Sequence, residues 1–305
     1  MSGNYKLSIC IPTYNREKYL NDLLDSITSQ KIFQETNYIE VVIDNWPSND
    51  NTEAIVKSYT KMYWDKIKYF CNSKKIWMCP AIMEALFLWS GEYCWTFSDD
   101  DLITDGTLEI FLDIINKYSP SLIFWREITK WEKNIKNNVR DIKILKWIND
   151  FSLYISNSEQ KLFKQNTDIF TFMSTFCVKK DFFKKNLDTL ISQWFTKKEI
   201  EYHYFNFALI WFAQVYSDDI IAIINSPITV LYTPNNDSWK PNIKIVKDLK
   251  ILINQIKKKY TMPKDFIVFL HNMYLLWIEC IIIIPYLKKY KIYKPIQWLY
   301  HKIFK

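Results

Sequence analysis

Three aspartates in succession, Asp99, Asp100 and Asp101, close the stretch "GEYCWTFSDDD". Like charges at that density repel, so either water solvates the run or a cation is held against it. Hard carboxylate oxygens suit Mg²⁺ or Mn²⁺. An Asp-x-Asp pair on a rigid strand end suits such an ion when it also carries a diphosphate, whose developing charge the ion neutralises. Taken alone, an Asp-x-Asp pair is more often a solvated acidic loop. Two further polar groups stand in a comparable place. Thr13 to Arg16 follow the apolar run "LSICI", and Asp44 ends the run "VVID" ahead of Pro47, where it could equally serve a turn.

The elements that must position these residues are legible from hydrophobic spacing. Leu7 to Ile11 reads as a buried strand ended by Pro12. Tyr19, Leu20, Leu23, Leu24 and Ile27 form one helical face, with Asn15 as the expected N-cap. Tyr38 to Ile43 is a second strand, Thr52 to Tyr63 a helix, "KIKYF" a third strand and "PAIMEALFLWS" a helix begun by Pro80. "EYCWTF" is the strand that delivers the triplet, "DGTLEIFLDIINKY" a helix and "SLIFW" another strand. Further on, "FTFMSTFCVKKDFF" reads as strand then helix, "EIEYHYFNFALIWFAQV" as an apolar helix, and "DIIAIINSPITVLY" as two short strands around Pro227. Strands alternating with helices predict an α/β fold: a mostly parallel sheet covered on both faces. Ligands in such sheets bind beyond the carboxyl ends of the strands. Thr13–Arg16, Asp44 and the triplet all fall there.

Composition narrows the chemistry. The chain has 305 residues, enough for one large α/β domain or two smaller ones. Its only glycines are Gly3, Gly91 and Gly106, which excludes a Walker loop and a GxGxxG fingerprint. The six cysteines form no CxxC pair and no zinc spacing, and "MSGNYKLSIC" lacks a signal-peptide pattern, so a cytoplasmic, reducing setting is expected. The net charge of +7 is uneven: residues 241–305 carry +10 and the first 240 about −3.

"LSICIPTYNREKYLNDLLDSI", "VVIDNWPSND" and "GEYCWTFSDDDLIT", in that order and at those strand ends, resemble family 2 of the inverting glycosyltransferases over roughly the first 110 residues. The resemblance implies a GT-A, Rossmann-like fold and an enzyme that takes a nucleotide-diphosphate sugar as donor. It implies a donor nucleotide held by Pro12, Thr13, Tyr14 and Arg16, with Asp44 reading the base. Asp99 and Asp101 would be the Asp-x-Asp pair, Asp99 near the ribose and Asp101 on Mn²⁺ or Mg²⁺, with Asp100 counted among the donor-binding residues. "NSKKIWMCPAIMEAL" departs from the family, keeping Asn72 but placing Trp77 and Met78 where small residues are common.

An inverting transferase needs a general base for the acceptor hydroxyl. The family's usual Glu-Asp pair is missing, and "FTKKEIEYHYFNFALIW" offers Glu201 first, Glu199 second and His203 as base or diphosphate contact, against a solvated helix end. The expected organisation is a catalytic domain over 1–240, its nucleotide-sugar half 1–125 and its acceptor half 126–240, followed by a helical lysine-rich region 241–305. Within the latter, "KKYKIYKPIQWLYHKIFK" has six lysines interleaved with aromatics and no acid. That suits peripheral contact with anionic lipid at the inner membrane face through residues 265–305, against plain packing with a solvated lysine face. Arginine is scarce and no nucleic-acid motif is present. The expected acceptor is a glycan or lipid-linked glycan of a bacterial surface polysaccharide. Two other functions compete. A non-catalytic sugar- or membrane-binding protein on a transferase scaffold would explain the missing Glu-Asp pair. A haloacid-dehalogenase-like phosphatase is echoed by "ITDGTLE", though Ile103 stands where its nucleophilic aspartate belongs.

Overall fold

Continuous apolar runs can be buried on both sides only inside a covered sheet, and the first two strands show it. In the computed structural model, which describes residues 5–72, 88–129, 142–145, 173–185 and 220–231 with Lys250 and Asn254, β1 (Leu7–Thr13) and β2 (Ile39–Asn45) are buried along almost their whole lengths. β3 (Ile67–Cys71) and β4 (Tyr93–Thr96) flank them in parallel, so the order β3-β2-β1-β4 forms a parallel half-sheet. The remaining strands, β5 (Asp101–Ile103), β6 (Leu122–Thr129), β7 (Ile142–Leu145), β8 (Phe176–Lys179) and β9 (Ile221–Leu231), complete a nine-stranded mixed sheet. There the β6–β9 pair is parallel, and β4–β8, β6–β8, β5–β9 and β7–β9 are antiparallel.

Leu7, Ile9, Ile11, Val41, Ile43, Tyr93 and Trp95 share one core with α1 (Leu20–Thr28), α3 (Thr52–Met62) and α4 (Thr107–Tyr118); α2 (Lys31–Glu35) adds Phe33. On the alternate positions Cys10, Val42 and Cys94 are equally buried. Trp95 stacks on Phe111 at 4.4 Å and meets Phe97 and Trp125 edge-on at 5.0 and 4.8 Å. Each such pair is worth about 0.5–1.5 kcal/mol beyond its buried area, and the cluster stiffens the strand that leads into the acidic triplet.

Three expectations change. β1 does not stop at Pro12 but runs to Thr13. Neighbouring residues in a strand point their hydrogen-bonding groups to opposite sides; the Cys10 carbonyl faces β4 and accepts from Phe97, while the Thr13 carbonyl faces β2 and accepts from Trp46. Pro12 therefore directs its missing N–H toward the β4 side, past the last β1–β4 pair at Cys10–Thr96. Asn15 is not the cap of α1. The helix starts at Leu20 after a turn over Arg16, and Asn15 instead adopts φ 54, a left-handed conformation that asparagine tolerates. Pro227 does not split β9, because a register shift against β6 between Trp125 and Glu127 absorbs it as a bulge. Residues 80–87 of the predicted helix begun by Pro80 and the predicted helix over 199–215 lie outside the described residues, as does the helical C-terminal region apart from Lys250 and Asn254.

The chain divides into two compact units, Met1–Phe151 with Leu162–Pro234, and Ser152–Lys161 with Asn235–Lys305. All described residues except Lys250 and Asn254 belong to the first.

At the amino ends of the strands, opposite the triplet, sits a buried carboxylate. Glu40 has no solvent exposure and accepts from Ser8, from the hydroxyl and amide of Ser90, and from Gly91, with Lys68 beside it at 2.5 Å. Gly91 is required at this point, because a Cβ would lie 2.7 Å from Ser8 Oγ and 3.0 Å from its backbone nitrogen. Burial works to raise the Glu40 pKa, but the bonds from Lys68, Ser8 and Ser90 outweigh it and hold the carboxyl below its ordinary 4.5. Its contribution to stability is therefore complete above that value and is lost as pH falls through the lower native one. Glu40→Gln is expected to cost about 3 kcal/mol at pH 7, the low end for breaking a buried pair because Lys68 keeps contact with water. Melting temperatures of the two proteins should converge as the pH drops below 4.5; a constant gap would remove Glu40 ionisation from the account.

Candidate donor site at the strand ends

Parallel strands place their carboxyl ends on one rim, and the described residues bring the three sequence segments together there. Pro12 pairs with Asp44 and Thr13 with Asn45 across β1–β2. The loop after β1 and the loop after β2 are stitched reciprocally. Asn15 N–H donates to Ser48 Oγ at 3.0 Å, and Asn49 N–H donates to Asn15 Oδ1 at 2.8 Å. Arg16 N–H donates to Thr52 Oγ1 at 2.7 Å, Glu17 N–H to Asp50, and Asn51 N–H returns to Glu17. This lacing fixes where the Arg16 side chain starts, and Tyr14 lies in the same turn.

Arg16 then reaches the triplet. Its Nε donates to Asp99 Oδ1 at 2.9 Å, and a terminal nitrogen lies 3.9 Å from Asp100. Burial disfavours charge on Arg16, but Asp99 and Asp100 outweigh it and raise its pKa further. For Asp99 the balance differs: burial, with Asp100 adding repulsion, pushes the carboxyl up to about 6 despite the Arg16 charge beside it. A raised native value means that this group favours the fold less as pH climbs from about 4 through 6, the reverse of Glu40.

The other acids are each held by a neighbour. Ser98 donates to Asp100, and Ser174 Oγ donates to Asp101 Oδ2 at 2.6 Å. Asn72 Nδ2 donates to Asp44 Oδ1 at 2.6 Å, and the Asn72 amide donates to the Asn45 carbonyl at 2.9 Å. Asp44 is thus part of β2, fully buried and oriented by Asn72, and not a turn-forming residue before Pro47. The local turn role belongs to Asp50, which accepts from the Thr52 amide and hydroxyl two residues on. Asp99 and Asp101 are buried, so the triplet is not a solvated loop, and Asp101 begins a strand that the sequence pattern did not reveal.

Among the described residues no group of three or more His, Cys, Asp or Glu side chains forms a complete metal cage. Mg²⁺ or Mn²⁺ bound together with a diphosphate takes one or two protein carboxylates, with phosphate and water completing the shell. Asp101 suits that role by its placement, while Asp99 already faces Arg16. Ser174, from the 3₁₀ turn Met173–Thr175 before β8, was missed by sequence reasoning. Its only signal was a lone serine in an apolar run, "FMSTFCV". Glu199, Glu201 and His203 lie outside the described residues, as do Trp77 and Met78.

Residues 8–200 match the sequence profile of Glycosyl transferase family 2. The chain belongs to glycosyl transferase family 2. It is 29% identical over 183 residues to abequosyltransferase RfbV of Salmonella typhimurium, covering 57% of this chain and 53% of that protein. Over 118 residues it is 44% identical to the poly(ribitol-phosphate) beta-N-acetylglucosaminyltransferase TarS of Staphylococcus aureus, covering 39% of this chain and 20% of that one. The chain therefore spans about half the length, or less, of these curated relatives. In structure it resembles S. aureus TarS 1–349, with TM-score 0.60 and 16% identity over 90% of this chain and 72% of that one. It also resembles the mannosyltransferase PcManGT of Pyrobaculum calidifontis, solved with GDP-Man and Mn²⁺, at TM-score 0.57 and 16% identity, covering 89% and 70%. These likenesses show the GT-A fold. The "ITDGTLE" echo of a phosphatase loop falls inside the family match, where β5 runs into α4.

Proposed function

We propose that this chain is a metal-dependent inverting glycosyltransferase, moving a sugar from a nucleoside-diphosphate donor to a glycan or lipid-linked glycan acceptor in bacterial surface polysaccharide synthesis. The observation that carries this reading is the convergence of Thr13–Arg16, Asp44 with Asn72, and the Asp99–Asp101 loop on one rim of the sheet. Asp44, buried and held by Asn72, offers a fixed acceptor for a base N–H. Arg16 keeps Asp99 placed for a ribose hydroxyl. Asp101 would hold the divalent cation together with diphosphate oxygens, and such an ion supplies Lewis-acid neutralisation of the leaving diphosphate. Glu201, then Glu199, would take the proton from the acceptor hydroxyl as it attacks the anomeric carbon, with His203 the third candidate. Relatives whose names tie them to abequosyl transfer, minor teichoic acid synthesis and an undecaprenol-linked glucosyl transfer support the pathway class. A fold neighbour solved with UDP-GlcNAc supports the donor class.

The test is hydrolysis or transfer from a panel of UDP-, GDP-, CDP- and dTDP-sugars with Mn²⁺. Turnover of one of them that stops on adding EDTA is expected. Turnover unchanged in EDTA would contradict metal dependence, and no turnover with donor-independent glycan binding would favour a non-catalytic scaffold.

The organisation expected from sequence, a catalytic domain over 1–240 and a lysine-rich region over 241–305, completes the proposal. Among the described residues no helix is long and apolar enough to cross a membrane. Residues 265–305 lie outside them, and peripheral binding at the inner face of the cytoplasmic membrane rests on their sequence. Each lysine near an anionic surface is worth about 1 kcal/mol. Six of them predict co-sedimentation with anionic liposomes that weakens as salt rises and is lost in a chain ending at Leu287. Equal sedimentation of both chains would leave the lysines as a solvated face.

A further inference from the structure

We infer that Ser174 is the positioning residue of Asp101, fixing the carboxylate orientation on which cation binding depends. The inference rests on the reading of Asp101 as the cation-holding residue. Ser174 is fully buried. Its Oγ accepts from the Ser98 amide at 2.9 Å and donates to Asp101 Oδ2 at 2.6 Å. A hydroxyl has one proton. With the Ser98 amide filling an acceptor position, that proton is directed to Asp101, so one side chain joins both ends of the 98–101 turn. The turn itself is closed by the Asp101 amide donating to the Ser98 carbonyl at 3.3 Å.

Ser174 is in turn anchored from below. Its carbonyl accepts from Trp95 Nε1 at 3.1 Å, and Trp95 belongs to the stacked aromatic core. The anchor is rigid on one side and the acid on the other, which is the arrangement by which groups behind a metal ligand set its orientation and basicity. Ser174 also comes from a distant part of the chain, 73 residues after Asp101. The Ser174 hydroxyl thus links the turn before β8 to the acidic loop.

The full chain is titrated with Mn²⁺ alone, following loss of the free-ion electron paramagnetic resonance signal, with unfolding temperature measured on each metal-free variant. Ser174→Ala should weaken Mn²⁺ binding about tenfold, the lower end for loss of a group behind a ligand. Ser174→Thr, which keeps the hydroxyl, should restore it. In the Asp101→Asn background Ser174→Ala should change residual affinity no further, because the effect acts through Asp101. If Ser174→Ala does not fold, Ser174→Cys, similar in size but a weak donor, should bind severalfold more weakly than wild type. Wild-type Mn²⁺ affinity in a folded Ala or Cys variant would overturn the inference while leaving the metal reading intact. So would an equal loss in the presence and absence of the Asp101 carboxylate. No Mn²⁺ binding by the wild-type chain would overturn the metal reading itself, and this inference with it.

Discussion

Asp101→Asn is expected to lower sugar transfer at least about 100-fold, a loss beyond that typical of a group behind a ligand because the ligand itself is removed. The amide keeps the size of the carboxylate and can still accept from Ser174, so the turn over Ser98 should persist. What it loses is the negative charge that holds a divalent cation against the diphosphate. Asp100→Asn is the control: its carboxylate is taken up by Ser98 and lies near Arg16, and a much smaller effect is expected. Initial rates over a Mn²⁺ series, with melting curves for each variant, separate the outcomes. Full activity of Asp101→Asn at saturating donor would place the cation elsewhere.

Glu201→Gln is expected to reduce turnover by about 10²–10⁴-fold while donor binding survives, the range for loss of a general base. The described rim carboxylates are each engaged by a neighbour. Asp44 is held by Asn72, Asp50 by Thr52, Asp99 by Arg16, Asp100 by Ser98 and Asp101 by Ser174. Such engaged carboxylates orient and bind; a base must meet the acceptor hydroxyl. The resemblance to the family implies an acidic base in the second half of the chain, where Glu201 and Glu199 stand at the start of an apolar helical pattern. Activity in Glu201→Gln with a dead Glu199→Gln moves the assignment by two residues. Activity in both passes it to His203.

The parallel half of the fold was legible because β1, β2 and β4 carry mostly apolar runs and the intervening helices carry clean faces such as Leu20, Leu23, Leu24 and Ile27. Where long-range pairing decides the local structure, the sequence was mute. β5 is three residues long and exists because Asp101–Ile103 pair with Leu231–Thr229, more than a hundred residues away. The continuity of β9 through Pro227 likewise depends on a bulge against β6 that no local pattern encodes. At the site, the acids and Arg16 were visible as residue types, but their partners were not. Asn15 looked like a helix cap and instead laces two loops, and Ser174 had no chemical signature until folding placed it under Asp101.

The most direct measurement is an X-ray structure of the chain soaked with Mn²⁺ and the nucleoside diphosphate that raises its melting temperature most, with anomalous data collected for manganese. An anomalous peak is expected about 2.1 Å from an Asp101 carboxylate oxygen, within reach of the diphosphate as a hard octahedral cation requires, with the base N–H on Asp44. An ordered nucleotide on this rim with no manganese at Asp101, or one whose base lies beyond a water's reach of Asp44, would contradict it.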